Sequence, residues 1–332
     1  MRRPPSTMDD RFGVLLMTYG SPASLDDVPR YLAAVRGGRE VLEELVTEFR
    51  RRYEVIGGSP LVRITTQQAT ALEERLEGRA VVRAAMRFSA PTIADGLADL
   101  AATGVGEVVA IVMSPQFSPL LMGGYGRALD DAWAQLGDGA PAVSLAGAWH
   151  TEPAFIEALA GRIGEALAQF PAGERQESPV LLTAHSLPRR VADQEPGYLA
   201  QLHETAVAVA DRAGLGPDRW TFCWQSAGHE PGEWIKPDFA DLMPKLAAAG
   251  HRSVLVAPVQ FLADHLEILY DVDIAARKQA ETHGLRFARI ESLNTDRRFI
   301  DALARIALRT RNTPTPSPST EAARATAGFG KS

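Results

Sequence analysis

Several short apolar runs in this chain end in residues able to bind ligands or move protons. Val14–Met17 is followed by Tyr19-Gly20-Ser21-Pro22, Val81–Met86 by Arg87-Phe88, and Val108–Met113 by Ser114-Pro115-Gln116-Phe117-Ser118. Later, Val180–Thr183 leads into Ala184-His185-Ser186-Leu187-Pro188, Trp220–Trp224 into Gln225-Ser226-Ala227-Gly228, and Ser253–Val259 into Gln260-Phe261. Close behind the last of these, Asp264, Glu267 and Asp271 fall at i, i+3 and i+7, along one face of a helix. A neutral imidazole takes a proton or a divalent metal near pH 7. Carboxylates add a second base or hard oxygen ligands. A single strand-end histidine is more often structural, and an acidic helix face is more often merely solvated. Six such endings in one chain, however, point to a shared site.

Elements that gather these endings at one edge are legible in the pattern. Ala142–Leu145 and Leu285–Ile290 complete a set of eight short apolar runs, most of them continuous rather than alternating, as strands buried on both faces of a parallel sheet must be. Amphipathic stretches separate them: Val41–Tyr53, Phe155–Ala168 with Ile156, Leu159, Ile163 and Leu167 at helical spacing, and Phe239–Ala249. Four strands and then four more, joined by helices, predict two doubly wound α/β halves, with ligands beyond the carboxyl ends of the strands. The expected division is a disordered start at 1–10, a first lobe at 11–150, a second at 151–311 and a disordered Thr/Pro/Ser-rich tail at 312–332. A last helix, about Asp296–Arg309, is expected to reach back onto the first lobe. Ser24 with Asp27 suggests a capping box, and Gly57-Gly58 ends the helix carrying Arg52 and Tyr53.

Composition removes several function classes. The 332 residues include 35 basic and 41 acidic side chains, a net charge of -6, without the basic excess of a nucleic-acid surface. No apolar run approaches membrane-spanning length, and no apolar stretch follows the N-terminal arginines as in a secretory signal. The one cysteine, Cys223, cannot alone hold an iron–sulfur cluster and reads as a small buried hydrophobe, which fits a cytoplasmic protein. GxGxxG after the first strand, GxxxxGK[ST], HExxH and GxSxG are all absent, which weakens dinucleotide, nucleotide, zincin and esterase readings.

From about Gly13 to Leu308 the chain resembles the ferrochelatase family. The resemblance is carried by Leu181-Leu182-Thr183-Ala184-His185-Ser186-Leu187-Pro188, by Trp224-Gln225-Ser226-Ala227-Gly228 and by Pro258 through Asp271. Arg52-Tyr53-Glu54 through Gly57-Gly58-Ser59-Pro60-Leu61 and Glu291-Ser292-Leu293-Asn294 add to it. It implies a chelatase-like α/β fold: two similar doubly wound lobes with parallel sheets, and a porphyrin in the cleft between them. It also implies catalytic and metal-facing roles for His185 and Glu267, with Tyr19 axial to the product iron or capping the ring and Asp271 a further metal contact. Tyr19, Arg36, Arg52, Tyr53, Ser59 and Tyr125 correspond to porphyrin-holding positions; arginine suits that task because its planar fork binds carboxylates. Fe²⁺ is then a substrate, with no tightly bound cofactor and no iron–sulfur cluster, and the enzyme is expected to be a monomer that passes its product to a downstream haem-pathway enzyme. There are departures. Glu195-Pro196-Gly197-Tyr198 replaces the family's Gly-Asp-Pro-Tyr, Gln116 stands where some members have His, and Ala275 stands where an outer acid is common, which puts an outer metal-transit site in doubt.

The substrate expected on these grounds is coproporphyrin III, with protoporphyrin IX as the alternative. Four propionates need polar partners around more of the rim than two do. The segment from Gly37 to Arg52 is heavily charged rather than an apolar lip, and Tyr19-Gly20-Ser21-Pro22 resembles the soluble coproporphyrin-using branch. Two more distant readings are insertion of cobalt or nickel into another tetrapyrrole, and a non-catalytic two-lobed haem or metal carrier.

Overall fold

The computed structural model describes residues 11–228 and 232–313. Among these, eight strands build two four-stranded sheets. β1 (Phe12–Thr18), β2 (Ala80–Met86), β3 (Glu107–Val112) and β4 (Ala142–Leu145) run in the order β2-β1-β3-β4. β5 (Val180–His185), β6 (Trp220–Gln225), β7 (Ser253–Pro258) and β8 (Arg286–Arg289) repeat that order as β6-β5-β7-β8. Every pairing is parallel. Each apolar run predicted as a strand is one. β1 and β7 are buried along their whole length, which is why their sequences lack polar alternation.

In both sheets the chain steps to one side of its first strand and then crosses to the other. The switch points are therefore β1/β3 and β5/β7, where an open α/β sheet leaves a crevice at the carboxyl ends. Just beyond those ends stand Tyr19 and Ser114 in the first lobe and Gln260 in the second, with His185 the last residue of β5.

The two lobes share one continuous core that includes Phe12, Leu72, Phe155, Leu182 and Phe299. Helix Arg297–Asn312 joins them. Its buried Phe299, Ile300, Leu303, Ile306 and Ala307 form a single apolar stripe. That stripe packs on helices Leu61–Arg75 and Pro153–Leu167 and on β3 and β4. The helix is also tied by ion pairs from Arg309 to Glu152 (2.5 Å), Arg75 to Asp301 and Arg311 to Glu107. It runs three residues beyond the expected end at Arg309, into the start of the predicted tail.

Two local expectations meet different outcomes. Gly57 and Gly58 adopt φ of 72° and 89°, and the Gly58 N–H closes the helix on the Tyr53 carbonyl at 2.8 Å. Ser24 is not part of a capping box: its side chain makes no cap bond, and the Asp27 carboxylate instead takes the Ala23 N–H and the Arg30 guanidinium. Reciprocal boxes occur at Thr92/Asp95 and Asp238/Asp241, where the acid can return the bond. The expected disorder at 1–10, and in the tail from 314 onward, lies outside the described residues.

Candidate active site

His185 ends β5, and Glu267 opens a π-helix, Glu267–Ala276, so residues 82 positions apart meet across the crevice of the second lobe. His185 Nε2 lies 3.6 Å from Glu267 Oε1, and His265 Nε2 lies 3.4 Å from Glu267 Oε2. Each imidazole has its other nitrogen against a main-chain carbonyl: His185 Nδ1 is 2.5 Å from Ser186 O, and His265 Nδ1 is 2.9 Å from Ala263 O. A carbonyl only accepts, so Nδ1 carries the proton in both rings and the Nε2 lone pairs face the carboxylate. Lone pairs on both sides of an anion repel it unless a proton or a metal cation lies between them.

The electrostatics agree. Burial raises the Glu267 carboxyl pKa, but the His185 charge and the His265 bond and charge outweigh it, down to about 2. Burial lowers the His265 pKa, yet the Glu267 bond and charge, the Ala263 carbonyl and Asp264 lift it above its ordinary value. Thus Glu267 stays ionised and His265 holds a proton more readily than a free imidazole.

A cavity of about 500 Å³ lies between the lobes, within the roughly 300–1,000 Å³ of small-molecule sites. His185, His265 and Glu267 line it from the second lobe; Tyr19, Tyr53, Ser59 and Tyr125 line it from the first. Tyr19 projects because the chain turns at once behind it: Gly20 has φ of 90°, the Tyr31 hydroxyl donates to its carbonyl at 2.9 Å, and a Cβ there would drive into Ser89 Oγ. Its ring meets Phe88 edge-on at 4.6 Å. Burial raises the Tyr19 phenol pKa, the Arg87 charge pulls it back, and the Glu267 carboxylate adds to the rise. Tyr53 and Tyr125 are likewise pushed up by burial, so both remain neutral hydrogen-bond donors.

A smaller cavity of about 290 Å³ shares His185 and Glu267 with the first, so the pair stands in the wall between the two. Arg52 and Asp271 line this second space. Arg52 pairs with Glu48 at 2.8 Å and Asp271 at 3.5 Å, and its guanidinium lies 5.0 Å from the centre of the Tyr270 ring. Asp271 is raised above its ordinary value by burial, against a Ser226 hydrogen bond, with Glu267 adding to the rise. Arg36 is exposed after helix Val28–Val35 and lines neither cavity.

The acidic row is shorter than the spacing predicts. Asp264 precedes the helix and accepts from Ser292 (2.7 Å) and Asn294 (2.9 Å), with Arg289 at 3.4 Å. It anchors the loop ahead of His265 instead of facing the cavity. Two residues that sequence reasoning assigned no role belong to the site. His265 stood inside the motif, two positions before Glu267. Gln260 accepts the His185 main-chain N–H at 2.7 Å.

Two parallel-sheet lobes closing on a cleft, with an imidazole–carboxylate pair between two cavities, define a chelatase architecture. The solved structure of SirB from Bacillus subtilis with Fe³⁺ shares the fold, at a TM-score of 0.54 and 10% identity over 91% of this chain and 98% of that one. The ferrochelatase family matches residues 11–311, and the chain belongs to that family of metal-inserting lyases. Ferrochelatase of Deinococcus radiodurans is 38% identical over 89% of this chain and 94% of its own length. Coproporphyrin III ferrochelatase of Geobacillus kaustophilus is 37% identical over 90% of this chain and 95% of its own. No helix among the described residues is long and apolar enough to cross a membrane.

Proposed function

We propose that this enzyme inserts Fe²⁺ into coproporphyrin III to give iron coproporphyrin III (coproheme). The observation that carries the reading is the His185–Glu267 pair, 3.6 Å apart in the wall of a cavity whose opposite lobe offers hydroxyl donors. Relatives named for coproporphyrin III at 34–37% identity support this substrate.

Metal insertion exchanges two pyrrole protons for Fe²⁺. His185 accepts the two protons one at a time, because its Nδ1–H is committed to Ser186 and Nε2 is open, and it releases the first to solvent through the smaller cavity before taking the second. Glu267, with its low pKa, is a weak base; it stabilises the imidazolium and attracts the cation. Fe²⁺ reaches the pair from the smaller cavity past Asp271. Tyr19 meets the other ring face, axial to the product iron. Tyr53, Ser59 and Tyr125 hold substrate carboxylates as neutral donors; Arg36, exposed outside both cavities, and Arg52, on the smaller one, join them by turning toward the rim.

The same proposal has no resident cofactor or iron–sulfur cluster, a cytoplasmic monomer, and transfer of the product to a downstream haem-pathway enzyme. Anaerobic turnover of Fe²⁺ with coproporphyrin III and with protoporphyrin IX tests the core of it. A higher kcat/KM for coproporphyrin is expected, and a clear preference for protoporphyrin overturns the substrate. Size-exclusion chromatography and cell fractionation test the monomer and the compartment.

A further inference from the structure

The His185 main-chain N–H settles the orientation of a side chain beside it. That N–H only donates, so the Gln260 atom 2.7 Å away is the amide oxygen. The Gln260 amide nitrogen must then face the Tyr198 hydroxyl, 2.5 Å away. The phenol oxygen accepts this bond, so its own proton turns elsewhere. Among the described residues no acceptor for that proton is found, and none for the second N–H of the Gln260 amide. Tyr198 is only 3% exposed, and burial pushes its phenol pKa up, so the hydroxyl remains a neutral donor. Both side chains line the 500 Å³ cavity.

We infer that Tyr198 and Gln260 form a two-donor site for one carboxylate of the substrate, on the second-lobe side of the cavity. The two donor atoms are neighbours, bonded to each other at 2.5 Å on one wall of the cavity, so one carboxylate lying against that wall meets both. Of the neighbouring second-lobe polar groups, His265 is bonded to Glu267, an anion that repels a carboxylate, and His185 is the proposed proton acceptor. The other hydroxyl donors proposed for carboxylates, Tyr53, Ser59 and Tyr125, all come from the first lobe. A ring with carboxylates around its rim needs a partner on the opposite side as well, because a carboxylate buried without donors is costly. Tyr198 and Gln260 supply it from the wall of the larger cavity, as neutral donors.

The inference rests on a porphyrin carboxylic acid being the substrate. Its test is the dissociation constant of the purified full-length protein for coproporphyrin III and for its tetramethyl ester, read by fluorescence quenching. Tyr198→Phe removes one donor, and Gln260→Glu keeps the acceptor for His185 while replacing the amide donor by an anion. Tyr198→Phe is expected to weaken coproporphyrin roughly tenfold, the loss typical of one hydrogen bond to a charged group. Gln260→Glu is expected to weaken it more, and both variants should bind the ester within about twofold of wild type. Unchanged coproporphyrin binding, or an equal loss for acid and ester, overturns the inference. If wild-type turnover prefers protoporphyrin, the coproporphyrin reading fails separately. The same acid-to-ester comparison with protoporphyrin and its dimethyl ester then decides this one.

Discussion

His185 and His265 approach opposite oxygens of one carboxylate, with Glu267 Oε1 3.6 Å from the first ring and Oε2 3.4 Å from the second. The two rings differ in what surrounds them. His185 stands in the wall shared by both cavities, whereas His265 lines only the larger one. In the proposed mechanism the first takes a proton from the substrate and the second holds the carboxylate in position.

Removing either member of the central pair should stop chemistry before it stops binding. His185→Ala is expected to lower kcat by roughly 10²–10⁴-fold, the scale of a lost general base. Glu267→Gln keeps shape but loses charge and should fall in the same range. Porphyrin affinity, measured by fluorescence titration, should change little in both. Near-normal turnover of a folded His185→Ala protein would remove His185 from the mechanism.

His265 gives a prediction in pH. Its partnership helps to depress the Glu267 pKa to about 2. His265→Asn deletes that support while burial continues to push the carboxyl up, so the Glu267 pKa must rise. The rise should be read directly from the Glu267 carboxyl, as a higher titration midpoint in carboxylate infrared difference spectra, with a modest loss of kcat/KM at its optimum. A carboxyl that titrates at the wild-type pH in His265→Asn would show that Glu267 does not depend on His265.

Much of this arrangement was legible before the structure, and the remainder was hidden for physical reasons. Buried parallel strands write themselves as continuous apolar runs, so all eight could be read locally. His185 and Glu267 stood in recognisable motifs. The role of Asp264 was misread because helical spacing was extended past the point where the helix begins; the helix that does follow has i→i+5 bonding, which local pattern does not announce. The contacts from Gln260 to Tyr198 and from Arg52 to Asp271 span 62 and 219 residues, and no periodicity encodes a pairing at that separation. Ser24 followed by an acid three positions later matched a cap by type, but Asp27 found a stronger partner in Arg30.

Stability should carry a signature of the joining helix. Asp296 caps it, accepting from the Arg298 N–H at 2.8 Å and pairing with Arg298 (2.7 Å) and Arg162 (3.2 Å). Burial raises the Asp296 pKa, but these partners bring it below its ordinary value. A depressed folded pKa means the contribution is complete above the unfolded pKa, about 3.9, and is lost as pH falls through the folded value. Asp296→Asn is expected to cost about 1–2 kcal/mol at pH 7 in urea unfolding. The gap from wild type should narrow below about pH 4. A gap independent of pH would assign the effect to packing instead of charge.

The turn behind Tyr19 can be taken apart by substitution. Gly20→Ala asks an L side chain to hold φ of 90° and drives its Cβ into Ser89 Oγ, with Met86 Cβ at 3.0 Å. The backbone penalty alone is on the order of 1–2 kcal/mol. The clash adds to it unless Ser89 moves, and Ser89 Oγ is also the acceptor for the Ser21 N–H at 3.2 Å. Gly20→Ala should therefore lower thermal stability and also displace Tyr19 from the cavity wall. Ser89→Gly in the same chain should recover the clash part of the stability, less the lost Ser21 N–H bond, and leave the backbone part. Because Tyr19 is proposed to meet the product iron, the visible spectrum of the bound product should change in Gly20→Ala and return partly in the double variant. A Gly20→Ala protein with wild-type stability and spectrum would mean that the turn does not set the position of Tyr19.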